Sequence, residues 1–185
     1  MRRLGAHLVL IDESGALMMP LVRRSLAPRG ETPVLKHKAS HRDRVSLMAA
    51  LTLSQRRLRG NLCFQTYPKA FVNSERAAAF VRALLQRLRG SVILLWDGGS
   101  MHKGDPIREL QRQFPRLALE RLPPYAPELN PVEFLWKYLK YDLLPNFAPQ
   151  DVTHLDGVLL KHLHQIKRSP DRIRSFWRSV DLPFD

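Results

Sequence analysis

Two aspartates in this chain each follow an uninterrupted run of apolar residues. Asp12 comes directly after Leu8-Val-Leu-Ile11, and Asp97 directly after Val92-Ile-Leu-Leu-Trp96. Apolar runs without alternation suit short strands buried on both faces. If two such strands lie side by side and parallel, both carboxylates reach the same edge of the sheet, where open α/β sheets place their ligand sites. Two carboxylates a few ångströms apart repel each other, so the pair needs a compensating charge. A hard divalent cation with oxygen ligands, Mg2+ or Mn2+, supplies it. The ordinary alternative for either residue is a turn-forming aspartate at a strand end. A third acid, Glu133, stands in Asn130-Pro-Val-Glu133. That pattern fits a capping box, with the glutamate reaching back to the start of its own helix, and spacing alone favours this structural role.

These acids belong to a strongly basic chain. Thirty Lys and Arg face 17 Asp and Glu, a net charge of +13 over 185 residues. A field of that sign gathers polyanions, so nucleic acid is the favoured partner, ahead of a membrane surface. With 44% hydrophobic residues the composition is that of a globular protein, and the length predicts one compact domain over residues 1–185. No apolar run approaches the roughly 18 residues of a membrane span. The single cysteine, Cys63, excludes a disulfide framework and a cysteine-built metal site. No signal peptide is read at the N-terminus, and the expected compartment is the cytoplasm.

The elements that must position the acids follow from periodicity. His7–Ile11 reads as a strand ending in the turn signal Asp12-Glu-Ser-Gly15, and Leu17–Val22 as the next strand. Val45–Leu53 and Asn61–Tyr67 complete an antiparallel meander. A helix capped by Ser74 runs to about Arg89, with Ala77, Phe80, Leu84 and Leu88 on one face, and stops at Gly90. Ser91–Trp96 is a strand, Asp105-Pro106 caps a short helix, and Leu117–Leu122 is a further strand. Pro123–Pro127 forms a rigid loop. Asn130-Pro131 opens a helix that carries Val132, Leu135, Trp136, Leu139 and Leu143 on its apolar face, which puts Trp136 in the core. Gln150–Lys167 and Pro170–Ser179 are the last helices. Strands followed by βα units predict a mixed sheet with helices on its faces.

Four segments together resemble the DDE transposases of the mariner superfamily, nearest to the bacterial insertion-sequence branch. They are Asp12-Glu-Ser-Gly15, Ala27-Pro-Arg-Gly30, Trp96-Asp-Gly-Gly-Ser-Met-His-Lys103 and Leu122-Pro-Pro-Tyr-Ala-Pro-Glu-Leu-Asn-Pro-Val-Glu-Phe-Leu-Trp136. The last is the most specific, and the resemblance extends from about residue 5 to the final helix. The 35 residues between Asp97 and Glu133 (133 − 97 − 1) match the spacing of that family. The resemblance implies a ribonuclease-H-like α/β fold, a mixed five-stranded sheet flanked by helices. It implies that Asp12, Asp97 and Glu133 form a catalytic triad binding two Mg2+ or Mn2+ ions. The activity it implies is hydrolysis of phosphodiester bonds at transposon ends, followed by joining of the 3′-hydroxyl to target DNA. A same-fold nuclease without strand transfer and an inactive or regulatory DNA-binding remnant are the competing readings.

The basic segments are read as DNA contacts. Arg23–Arg44 is too rich in turn residues for a solvated helix face, and Arg23, Arg24, Arg29, Lys36, Lys38 and Arg42 are the candidates there. His102 and Lys103, shortly after Asp97, are candidates at the rim of the site, with a plain loop histidine as the alternative. Glu13 alternates to the opposite face from Asp12 and is read as structural. The family carries helix-turn-helix recognition modules ahead of its catalytic domain, and the expected first strand leaves no room for them. The expected partners are therefore transposon-end and target DNA, an upstream-frame DNA-recognition polypeptide, and further copies of the chain assembled on DNA, in a bacterial, nucleoid-associated setting.

Overall fold

A computed structural model of the chain describes residues 5–36, 43–54, 59–97, 104–123 and 126–180. Its centre is a five-stranded mixed sheet in the order β3-β2-β1-β4-β5. Strands β1 (His7–Leu17), β2 (Arg44–Ser54) and β3 (Arg59–Pro68) form the expected antiparallel meander. Strands β4 (Val92–Trp96) and β5 (Leu117–Arg121) add to the β1 side in parallel. Helices α1 (Ser74–Arg87) and α2 (Asp105–Gln113) supply the crossovers. Helices α3 (Pro131–Tyr138), α4 (Val152–Lys167) and α5 (Pro170–Arg178) follow the last strand.

The sheet separates two apolar layers. Val9, Ile11, Met48, Leu94 and Trp96 pack with Phe80, Leu84 and Leu110 of α1 and α2. Leu8, Leu10, Leu47, Leu51 and Leu62 pack with Leu135, Leu159 and Trp177 of α3, α4 and α5. Successive residues of β1 thus enter opposite layers, which is why that run shows no polar alternation.

Several expected boundaries move. Strand β1 does not end in a turn at Asp12. It continues through Glu13, Ser14 and Gly15 to Leu17, because β2 pairs along its whole length, with Asp12 opposite Ala49 and Ser14 opposite Leu47. The ladder overrides the turn preference of these residues. Leu17–Val22 is accordingly not a separate strand: Leu17 closes β1, Pro20 lacks a ladder donor, and Leu21 makes only an isolated bridge to Pro145. The cap of α1 is Asn73, whose side chain accepts from the Arg76 amide, and Ser74 is the first helical residue. In α2 the cap is Gly104, which places Asp105 and Pro106 inside the first turn. Helix α3 is shorter than its apolar periodicity predicts and passes into a π-helical turn over Leu139–Leu143.

Candidate active site

Strands β1 and β4 bring the two aspartates level. Their parallel register pairs His7 with Val92 and Leu10 with Leu95. Continued two residues further, it sets Asp12 beside Asp97. Both positions share the parity of Leu8 and Leu10, on the face covered by α3, α4 and α5. Asp12 lies within the strand and is 8% exposed. Asp97 is the exposed residue after β4.

Asn130 brings the third acid to this edge. It is buried and caps α3, its side-chain oxygen accepting from the Val132 amide at 3.1 Å. Its side-chain amide donates to the carbonyl of Ile11 at 3.3 Å. One residue therefore starts the helix and ties it to β1 immediately before Asp12. The capping box suggested by the spacing is not what starts this helix. The Asn130 amide that Glu133 would have satisfied instead donates to Pro127 O at 3.0 Å, closing a 3-10 turn over Pro127–Leu129. Glu133 is exposed and lines a cavity of about 590 Å3 with Trp136, Lys137 and Lys140.

The electrostatics report the convergence. The Asp12 carboxyl is pushed up to about 7, chiefly by burial, then by the charges of Glu133 and Glu13, with a smaller push from Asp97. Opposing them, the Trp136 indole N–H donates to Asp12 Oδ2 at 2.8 Å and favours the ionised form. Lys140 reaches over from the π-helical turn and donates to Ser14 Oγ at 2.6 Å. Burial pulls its pKa down, against the opposing pull of Glu133 and Asp12. Trp136 and Lys140 are site residues that periodicity does not reveal. Trp136 is buried as expected, but its polar edge serves the site. Lys140 could have been suspected from its position two helical turns after Glu133.

Among the described residues, no three His, Cys, Asp or Glu side chains are gathered closely enough to hold a metal ion as they stand. The chemistry of the donors nonetheless fits a hard divalent cation. All three are carboxylates, and their mutual repulsion is already registered at Asp12. Of the basic candidates, Arg23 is engaged within the protein. Its guanidinium donates to Tyr141 O at 2.6 Å and its amide to Asn146 Oδ1 at 2.8 Å. Arg24, Arg29 and Lys36 are exposed. Lys38, Arg42, His102 and Lys103 lie outside the described residues.

A mixed sheet in this order, with helices on both faces and acids at the edge shared by β1 and β4, is the ribonuclease-H-like arrangement. The same fold is found in Mos1 transposase structures. A paired-end complex with the left transposon end has a TM-score of 0.62 at 20% identity, covering 94% of this chain and 51% of that one. A mariner paired-end complex with Mn has a TM-score of 0.61 at 20% identity, covering 93% and 51%. The catalytic domain with Raltegravir and Mg has a TM-score of 0.53 at 18% identity, covering 93% and 75%. The chain thus spans about half the length of the first two. No curated protein matches it. Residues 7–156 match the DDE superfamily endonuclease family, and the chain belongs to that family.

Proposed function

We propose that the chain is the catalytic part of a DNA transposase of the bacterial insertion-sequence branch, with Asp12, Asp97 and Glu133 as its metal-binding triad. The observation that carries this reading is the parallel register of β1 and β4, which runs towards Asp12 and Asp97 at one edge, together with the Asn130 bond to Ile11 that ties the start of the Glu133 helix to β1. Family membership and the fold shared with Mos1 complexes that contain transposon ends support it. The Mn and Mg named with related structures support the choice of ion.

The reaction would be hydrolysis of a phosphodiester at the transposon end, leaving a 3′-hydroxyl, then attack of that hydroxyl on a phosphodiester of target DNA. Divalent ions held by the three carboxylates would supply Lewis acidity at the attacking and leaving oxygens. The protein's own contribution is placement. Strand β1 fixes Asp12 in a fully paired ladder. The Trp136 indole holds one oxygen, Oδ2, of its carboxylate. Because the triad repels phosphate, the attraction for DNA must come from the basic surface, with exposed Arg24, Arg29 and Lys36 among its members.

Purified protein with Mg2+ or Mn2+ should nick supercoiled DNA. Asp97→Asn should abolish the nicking. Glu133→Gln should leave the protein folded and inactive, because the cap of α3 is Asn130 and does not depend on Glu133. Joining of a pre-cut end to target DNA would separate a transposase from a nuclease of the same fold. Nicking that survives Asp97→Asn removes the triad assignment.

A further inference from the structure

We propose that the open edge of β3 is a docking site for an extended acidic segment of another protein, which adds to the sheet as a further strand and sets two consecutive acidic side chains beside Arg87 and Lys167. Strand β3 has a neighbour on one side only, β2. Just past its end, the Lys69 amide donates to Arg44 O at 2.9 Å, so alternate residues from Tyr67 back to Asn61 turn their backbone groups to β2. Gly60, Leu62, Phe64 and Thr66 turn theirs to the open edge. Asn61 Oδ1 accepts from the Leu62 amide at 2.8 Å. Among the described residues, nothing bonds to the amides of Phe64 and Thr66. Edge strands are ordinarily blunted by a bulge, an inward charge or a central proline. Strand β3 runs in unbroken register with β2 from Arg59 to Pro68, and no charged residue stands between those two.

The surroundings of this edge decide the occupant. Helices α4 and α5 cover one face of β3, through Leu62 and Phe64. Lys167 of α4 lies over the Phe64 ring, 5.9 Å from its centre. Arg87 ends α1, the helix on the other face. Burial pushes the Cys63 thiol up, and the charges of Lys167 and Arg87 both act against that push, so both stand near the middle of the strand. A second copy pairing edge to edge would bring the same cations to the seam again, and like charges across a strand pair repel. An acidic strand has the complementary charge. It would lie about 4.8 Å from β3, with successive side chains on opposite faces. Two consecutive acids thus meet one cation each, while the backbone supplies the ladder bonds. Asp12-Glu13 is the only adjacent acidic pair in this chain, and it is held within β1, so the segment belongs to another protein.

The test uses the purified full chain and two labelled peptides of equal charge. Thr-Val-Thr-Glu-Glu-Val-Thr-Val can add as a strand. Thr-Val-Pro-Glu-Glu-Pro-Thr-Val lacks an amide donor on each side of its backbone. Fluorescence anisotropy should show the first binding about tenfold more tightly than the second. Hydrogen exchange at the Phe64 and Thr66 amides should slow when the first is bound. Thr66→Pro removes an outward amide and no bond to β2, a place where an edge strand tolerates proline, and should weaken the first peptide roughly tenfold. Arg87→Gln and Lys167→Gln should each weaken it by about 2- to 5-fold. Arg108→Gln, on α2, should leave it unchanged. Thermal unfolding confirms that each variant is folded, and the exchange measurement on wild type decides even where one is not. Equal binding of the two peptides, or exchange at Phe64 and Thr66 that the first leaves unchanged, overturns the proposal. So does a wild-type dimer that Thr66→Pro dissociates, which gives the edge to a second copy, or a short DNA duplex that slows the same amides.

Discussion

At Asp12, burial and three neighbouring carboxylates act in one direction, and only the Trp136 indole opposes them. With a folded pKa near 7 against 3.8 in the open chain, the folded state keeps a proton between those values that the unfolded state has lost. The contribution of Asp12 to the stability of the metal-free protein is therefore fully present below about pH 4 and is lost as pH rises to about 7. At 1.36 kcal/mol per pH unit the full effect is roughly 4 kcal/mol. Thermal unfolding with chelator should show this fall. Asp12→Asn should flatten it and unfold at a higher temperature than wild type at pH 8, while nicking is lost. An equal pH slope in Asp12→Asn would place the titration elsewhere. Since divalent ions need the ionised carboxylate, their stabilising effect should grow as pH passes 7. Trp136→Phe keeps the ring packing but removes the hydrogen bond drawn to Asp12 Oδ2. Loss of such an orienting partner typically costs about 10- to 100-fold in metal affinity or activity. A Mn2+ titration of nicking should show that loss, and unchanged metal dependence would make the bond incidental.

At the scale of elements, the site depends on how α3 is docked. A helix of eight residues contributes little stability by itself, so its position comes from Val132, Leu135 and Trp136 in the core and from Asn130 at its start. Asn130→Ala removes both the cap and the tie to Ile11. A lost cap costs about 1 kcal/mol. Nicking should fall by far more than that loss of stability explains, because Glu133 loses its fixed position relative to Asp12. Comparing urea midpoints with nicking rates checks this. Proportional losses would mean that Asn130 serves stability alone.

Over the whole molecule, the sheet and its outer helices form a closely packed frame behind an acidic edge. The packing is tight where β3 meets α5. A Cβ on Gly60 would lie 2.8 Å from Ile173 Cγ2 and 3.2 Å from the Trp177 ring. Gly60→Ala should destabilise the protein by about 1–3 kcal/mol, the usual cost of overpacking. A denaturant midpoint equal to wild type would show that α5 can shift without cost. The charge of +13 around this frame and the carboxylates within it divide the work. Under the proposed function, the surface would draw a polyanion in, and the edge would need cations before a phosphate could approach.

Much of the frame was legible in the chain itself. Apolar runs and the change in period at α1 locate all five strands and the antiparallel meander, together with a sixth strand, Leu17–Val22, that does not form; the parallel pairing behind Asp12 and Asp97 is a condition of the reading, and the register meets it. The family follows from the run that ends in Glu133. These features are local, set by residues within a few positions of one another. What the sequence could not decide are the contacts across the fold. Strand β1 continues through Asp12 to Leu17 only because β2 pairs with it. The bonds from Asn130 to Ile11, Trp136 to Asp12 and Lys140 to Ser14 span 119, 124 and 126 residues. No propensity or spacing encodes partners so far apart. They exist because the apolar face of α3 packs on β1, and that packing turns a helix cap, a core tryptophan and a lysine of ordinary sequence appearance towards one carboxylate edge.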